Sequence, residues 1–194
     1  MNPKLQLQQE SVIRLEMRPP DIEGKGEINQ SALVRNALRM RPDLIVMGEI
    51  RGAEALEMMQ AMATGPEGSL TTVRADSPHD AISRLENMVS MAGARLLRKV
   101  ARAQIASAIT VVVQLNRLPD GQHKVTSMQE ITGIDGEVLT MQEFFNFRQT
   151  GRGTNGKITG YFQATGIRPT FFEQLRDYGV NLQTSIFDPS KRYQ

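Results

Sequence analysis

Residues 41–52, RPDLIVMGEIRG, form the stretch that most restricts how this chain can fold. Its four consecutive apolar residues, 44–47, make a run short enough for a strand that is buried on both faces, as in parallel sheets. Gly48 and Glu49 follow at the carboxyl end of this strand, which is where ligands bind in open α/β sheets. The stretch predicts an α/β fold with Glu49 at the edge of a cleft, although a buried strand ending in Gly-Glu also occurs for purely structural reasons.

The rest of the first two thirds alternates between helix-like and strand-like segments. Ser31 is the expected N-cap of a helix that Pro42 closes, residues 53–63 predict a second helix, and residues 69–73 and 110–115 predict strands. Such alternation is typical of a mostly parallel sheet with flanking helices. From residue 117 onward, turn residues around 134–136 indicate a hairpin. We therefore expect an α/β core over residues 1–116 and a hairpin-containing extension over 117–194, in the same compact domain or loosely attached to it.

Composition excludes several classes of protein. The 23 basic residues are nearly matched by 21 acidic ones, so the net charge of +2 gives no reason to expect nucleic-acid binding. The chain has no cysteine and two histidines, which argues against disulfides and a zinc site, and we predict no metal-ligating residues. No segment approaches the ~20 apolar residues that span a bilayer, and the opening residues lack the apolar core of a signal peptide. These features predict a soluble, cytoplasmic protein.

The apolar run followed by Gly48 and Glu49 is typical of the Walker B element of nucleotide-driven motors. Such a motor also needs a loop of backbone amides and a lysine to hold the phosphates, and a hydroxyl group for magnesium. The near match to that loop at residues 151–157, GRGTNGK, has Ile158 in place of the hydroxyl and leads into a predicted strand. The sequence thus predicts a water-orienting carboxylate without a Walker A loop.

Long collinear segments over roughly residues 5–170 resemble the C-terminal half of a type II/type IV secretion ATPase. They include LQLQQESVIRLEMRPP, LVRNALRMRPDLIVMGEIRG and GSLTTVRADSPHDAISRLENMVSMAG, and they are most similar to the tight-adherence (Flp) pilus assembly branch, the CpaF-like group. This resemblance implies a partial RecA-like P-loop NTPase core and ATP with Mg²⁺ as cofactors. It also implies the subunits of a hexameric ring and an inner-membrane secretion platform as partners, with the protein peripheral to that membrane through them.

The resemblance assigns roles to five residues. Glu49 is the catalytic carboxylate, and Gly48 lies beside it at the nucleotide. Arg14 and Arg18 match the spacing of two arginines that the family places on nucleotide phosphates, a task that suits a permanently charged fork. Without the resemblance, the same pair would be interpreted as a solvated edge. Arg51 is expected to support the Walker B turn by pairing with a neighbouring acid.

Two family elements are altered in this chain. Residues 1–4 carry no carboxylate where the acidic box would place a glutamate. The histidine box reads GPEGSLTTVRADSP, with Pro66 and Arg74 at the histidine positions. Proline offers no side-chain donor, and arginine keeps its positive charge but cannot act as a neutral imidazole.

Three functional hypotheses remain open from the sequence. The chain is the C-terminal portion of a secretion ATPase that is inactive alone because Walker A is absent, a pseudo-ATPase module that binds ring subunits, or a decayed gene fragment. Whichever holds, we expect the isolated chain to bind ATP and Mg²⁺ poorly, because the phosphate-cradling loop supplies most contacts to the nucleotide.

Overall fold

The computed structural model describes residues 6–65, 68–92 and 97–193, and they divide into two compact units. The first unit comprises the described residues of Met1–Arg74 and Ala81–Ala108, and the second those of Ala75–Asp80 and Ile109–Gln194. The helices are α1 (Gln30–Arg39), α2 (Glu54–Thr64), α3 (Pro78–Ala92), α4 (Arg98–Ala108) and α5 (Phe172–Asp177), with a 3₁₀ helix at Thr184–Phe187. The strands are β1 (Val111–Arg117), β2 (His123–Asp135), β3 (Val138–Arg152), β4 (Ile158–Ala164) and β5 (Arg192–Tyr193).

Helix α1 begins earlier than the sequence predicted. The side chain of Asn29 accepts a hydrogen bond from the backbone N–H of Ala32 at 2.9 Å and is therefore the N-cap, which places Ser31 inside the helix. At the other end Arg41 adopts a positive φ of 51°, and Pro42 prevents the helix from continuing. The helix thus ends where the apolar run toward Glu49 begins.

Helix α2 supplies the centre of the first unit's core and packs against α1 and α4. Its inward face is fully buried and consists of Ala55, Met58, Met59 and Ala61, while α4 contributes Ala101 and Ile105. The flexible methionine side chains fill the space between the helices. Met58 and Met59 are fully buried and are therefore core residues of the first unit.

The apolar run before Glu49 forms a short parallel pairing. The N–H of Met47 donates to the carbonyl of Leu70 at 2.8 Å, the N–H of Leu70 donates to Ile45 at 2.9 Å, and Val46 and Leu70 form a parallel bridge. Burial along the run alternates: Ile45 and Met47 are buried, whereas Leu44 is 41% exposed. The prediction of a strand buried on both faces is therefore wrong for this chain, because only one face covers the core.

The second unit contains a five-stranded sheet in the order β1-β2-β3-β4-β5 in which every neighbouring pair is antiparallel. The prediction of a mostly parallel sheet is therefore wrong. The physical reason lies after β1, where residues 118–122 form a tight turn in which the N–H of Leu118 donates to Gln122. A connection this short cannot provide the crossover that a parallel neighbour requires, so β1 pairs with β2 as a hairpin.

The two following turns show how local sequence sets this topology. The predicted hairpin around residues 134–136 is confirmed, with Gly136 at φ 59° between β2 and β3. Of the glycine-rich residues 151–157, the first two end β3 and residues 153–157 form the turn to β4, closed by a 2.8 Å hydrogen bond from the N–H of Gly153 to Lys157. The near match to Walker A is thus part of an antiparallel hairpin.

Candidate active site

The Glu49 side chain lies at the carboxyl end of the parallel-paired run. The next residue, Ile50, is 1% exposed and its N–H donates to the carbonyl of Thr72 at 2.9 Å, so the chain is fixed immediately after the glutamate. The carbonyl of Glu49 accepts a hydrogen bond from the side chain of Gln30 at 3.2 Å. The carboxylate itself is 24% exposed and so reaches the surface of the first unit. A carboxylate at the surface can contact a molecule that arrives from the solvent.

Arg51 binds one oxygen of this carboxylate. Its Nε and Nη2 atoms donate to Oε2 of Glu49 at 2.9 and 2.5 Å. This hydrogen bond, together with the charge of Glu49, raises the pKa of Arg51 above its ordinary value. The backbone of Arg51 is fixed as well, because Oε1 of Glu54 accepts the N–H groups of Arg51 and Gly52 at 2.7 and 3.0 Å. Glu54, the first residue of α2, thereby holds the turn that carries the catalytic candidate.

Arg74 approaches the other oxygen of Glu49. Its Nε lies 3.3 Å from Oε1, and the arginine side chain is 84% exposed. The chain reaches this point because residues 70–72 run beside residues 45–50, and the Thr72 hydroxyl donates to the carbonyl of Gly48. The structure therefore brings Arg51 and Arg74 together at Glu49.

The structure describes the surroundings of Gly48 but not those of Pro66. A Cβ built on Gly48 would meet nothing within 4 Å, so the backbone before Glu49 borders open space. Pro66 lies outside the described residues. The role of Gly48 at a nucleotide stays a prediction.

Arg14 and Arg18 have backbone partners in the N-terminal segment. Nη2 of Arg14 donates to the carbonyl of Leu7 at 3.3 Å, and Nε of Arg18 donates to Gly26 at 2.7 Å. Arg18 also pairs with Ile28 through two backbone hydrogen bonds, which closes a hairpin over residues 18–28. The predicted contact of these two arginines with nucleotide phosphates stays a prediction.

Three residues that position the site did not stand out in the sequence. Gln30 and Thr72 reach the backbone of the Gly48-Glu49 segment, and Glu54 holds the turn after it. Only Glu54 left a local signal, since a glutamate in the first turn of a helix commonly accepts preceding N–H groups. The other two depend on pairing between segments that are distant in sequence.

Comparison with known proteins identifies the family. The family model described as Type II/IV secretion system protein matches residues 4–167. The chain belongs to this family. A putative conjugal transfer protein of Mycobacterium tuberculosis is 36% identical over 127 residues, which cover 66% of this chain and 36% of that protein. The type IV secretion system protein VirB11 of Bartonella quintana is 34% identical over 110 residues, or 56% of this chain and 31% of that protein.

A solved structure agrees with these relatives. The VirB11 ATPase from the Brucella suis type IV secretion system, in complex with sulphate, matches with a TM-score of 0.50 and 29% identity over 53% of this chain and 32% of that one. The chain spans about a third of the length of the curated relatives it matches. The predicted membership of the secretion ATPase family is therefore confirmed at the level of the family. Among the described residues, no helix is both long and apolar enough to cross a membrane.

Proposed function

We propose that this chain is the Walker B portion of a secretion ATPase, in which Glu49 orients the attacking water while a polypeptide segment outside these residues supplies Walker A. The observation that carries the proposal is the placement of Glu49. Its carboxylate is at the surface end of a parallel-paired run, and both of its oxygens contact guanidinium groups. A carboxylate held beside fixed positive charge suits chemistry on a phosphate, where catalysis consists mainly of positioning and charge stabilisation.

The open face of the run supports a missing partner segment. Leu44 is 41% and Leu70 is 58% exposed, although both flank the segment that leads to Glu49. Exposed leucines on paired backbone segments are compatible with a surface that another part of the protein covers. We propose that the segment carrying Walker A packs against this face and brings its phosphate loop toward Glu49.

The finer assignments follow from the resemblance to secretion ATPases. We propose that the chain belongs to the Flp pilus branch, assembles into a hexameric ring, and is cytoplasmic and peripheral to the inner membrane through its secretion partners. ATP and Mg²⁺ are the proposed cofactors. Arg14 and Arg18 are proposed to act on the nucleotide phosphates across a subunit boundary, as the family resemblance implies.

Reconstitution tests this function. The chain is mixed with a separate fragment of a full-length relative that contains Walker A. This fragment ends before the position that aligns with residue 6 of this chain. The mixture is expected to hydrolyse ATP, and Glu49→Gln is expected to lower kcat by about 10²-fold or more because the water loses its orienting base. Arg98→Gln, a change at an exposed residue of α4, is the matched control and should leave kcat unchanged. A mixture that binds together but remains silent would reject the catalytic role.

A pseudo-ATPase interaction module is the second candidate, and the Arg74 contact favours it. An arginine at a histidine-box position that lies on the catalytic carboxylate is compatible with a chain that no longer turns over nucleotide. In this case the chain should associate with full-length ring subunits. The ATPase activity of the mixture should then be no higher than that of the subunits alone. Increased ATP hydrolysis in the mixed ring would instead support the proposal that this chain is part of an enzyme.

A further inference from the structure

The peptide group between Glu49 and Ile50 is held at both of its polar atoms. Its carbonyl, which belongs to Glu49, accepts a hydrogen bond from Nε2 of Gln30 at 3.2 Å. Its N–H, which belongs to Ile50, donates to the carbonyl of Thr72 at 2.9 Å. Because a trans peptide unit is planar and these two groups point in opposite directions, the two bonds fix the plane in which the Cα of Glu49 lies. Gln30 therefore helps to set the direction in which the Glu49 side chain leaves the backbone.

Gln30 also follows closely on the hairpin that carries Arg18. The N–H of Arg18 donates to the carbonyl of Ile28 at 3.0 Å, and the N–H of Ile28 donates back at 2.8 Å, which closes residues 18–28. Ile28 is followed by the N-cap of α1 and then by Gln30, the first residue of that helix. A single side chain therefore connects this Arg18 hairpin with the backbone of Glu49.

The Arg18 hairpin keeps its shape through the hydrogen bonds of its turn. Oδ1 of Asp21 accepts the N–H groups of Glu23 and Lys25 at 3.0 and 2.8 Å. The backbone N–H of Asp21 also donates to the carbonyl of Lys25 at 2.8 Å. An element closed at both its base and its turn moves as one piece, so a shift of the hairpin is passed on to Gln30, two residues beyond its base.

We propose that Gln30 is a positioning residue that orients Glu49 and ties it to the Arg18 hairpin. The inference rests on the proposed function, in which Glu49 orients the attacking water. Catalysis is sensitive to such placement, since a misplacement of about 1 Å can cost about 10²-fold in rate. Contact of Arg18 with the nucleotide of a neighbouring subunit would thereby reach Glu49 through Gln30.

The chemistry of glutamine suits this position. Its amide N–H donates to the carbonyl of Glu49 without adding a charge beside the carboxylate. A lysine or an arginine here would compete for that carboxylate, and a glutamate, when ionised, would have no hydrogen to donate. Gln30 is also half-buried, which strengthens its hydrogen bond relative to one in open water.

The contact of Gln30 can be measured by NMR in the 194-residue chain alone. Gln30→Met keeps the length of the side chain and removes the donor. The carbonyl carbon signal of Glu49 and the amide nitrogen signal of Ile50, which share one peptide group, are therefore expected to move. Gln60→Met, at an exposed position of α2, is the matched control and should leave both signals in place. Signals that stay in place in Gln30→Met would overturn the proposal.

Asp21→Ala tests the connection with the hairpin, since it removes the acceptor of two N–H groups in the turn. In the parent chain this change is expected to move the signals of the Glu49–Ile50 peptide group. In the Gln30→Met background it should no longer do so, because the connecting side chain is absent. Glu16→Ala, the loss of an exposed carboxylate outside the hairpin, is the control. Equal shifts in both backgrounds, or none in either, would overturn the connection.

Kinetics of the reconstituted enzyme separate positioning from a merely structural role. Gln30→Met is expected to lower kcat by about tenfold and to leave KM for ATP unchanged, because it misaligns Glu49 without removing a contact to the nucleotide. In a Glu49→Gln background the same change should cause no further loss, since Gln30 acts through that carboxylate. Equal losses of kcat in the two backgrounds would overturn the positioning role. A mixture that is silent whatever residue occupies position 30, with the NMR shifts as expected, overturns only the proposed ATPase function.

Discussion

The buried carboxylate of Glu130 accepts the backbone N–H of Thr170 on both of its oxygens, at 2.9 and 3.0 Å. It also accepts the Thr170 hydroxyl at 2.5 Å and the N–H of Phe171 at 3.2 Å, and Glu130 is only 2% exposed. A buried carboxylate is tolerated when several donors replace its water. This cluster joins β2 to the start of α5, whose Phe172 packs against Phe187 with ring centroids 5.2 Å apart.

Glu130→Gln is expected to destabilise the second unit by about 1–3 kcal/mol, since an amide NH₂ would face backbone donors and leave buried groups unpaired. Urea unfolding followed by tyrosine fluorescence measures this, because all three tyrosines lie in the second unit and the chain has no tryptophan. Asp135→Asn, at the exposed last residue of β2, is the control and should change stability by less than about 0.5 kcal/mol. Equal midpoints for the two variants would contradict the proposed anchoring.

The hydrogen bonds of Asp120 predict that the stability of the second unit decreases in acid. The N–H of Ile158 donates to its Oδ2 at 2.5 Å, and this bond, followed by that from the N–H of Gln122, lowers the pKa of Asp120 from its ordinary value of 3.8. A carboxylate with a lowered folded pKa contributes fully above its unfolded pKa. The contribution is then lost as pH falls from 3.8 through the folded pKa.

Asp120→Asn is therefore expected to flatten the dependence of the urea midpoint on pH below about 4, with little change in that dependence near neutrality. The measurement is a series of tyrosine-detected unfolding curves at falling pH. Asp188 must be considered alongside it, because hydrogen bonds from Ser190 also lower the pKa of that carboxylate. Asp188→Asn and the double variant separate the two contributions. Identical acid dependence in the parent chain and the double variant would refute the assignment.

Local signals predicted the contact between Glu49 and Arg51 better than the layers of the fold. The Gly-Glu step after an apolar run located the Glu49 site, and the G-E-x-R order pointed to Arg51, because both relationships lie within a few residues. The sheet was not predictable in the same way. A strand-forming segment such as β1 has the same local pattern in parallel and antiparallel sheets. Only the short turn after it decides the pairing, because it is too short for a crossover connection.

The position of Arg74 shows a second limit. The sequence placed it in an altered motif, but its contact with Glu49 depends on residues 70–72 running beside residues 45–50. Such non-local pairing is set by packing of the first unit and leaves no periodic signal. For the same reason the exposure of Leu44 could not be foreseen, since a run of apolar residues does not reveal whether both of its faces are covered.

Arg51→Lys tests whether the pairing geometry at Glu49 matters beyond charge. A lysine keeps the positive charge but cannot place two N–H groups on Oε2 from a rigid fork, so kcat of the reconstituted enzyme is expected to fall by about tenfold. The fold should be unaffected, since the Arg51 side chain is 67% exposed. Arg98→Lys is the control. A kcat equal to that of the parent enzyme would mean that charge alone orients Glu49.

Gly160 is expected to be the glycine of the β3-β4 hairpin that least tolerates a methyl group. A Cβ at this position would collide with the Phe147 ring and with the backbone carbonyl of Arg148, so the strands would have to separate. Gly160→Ala should therefore destabilise the second unit by about 1–3 kcal/mol. Gly151→Ala in the same hairpin is the matched control, because its nearest neighbour, the Thr159 hydroxyl oxygen, would lie 3.9 Å away. Tyrosine-detected urea unfolding measures both, and a Gly160→Ala midpoint at or above that of Gly151→Ala would show that the hairpin can open at no cost.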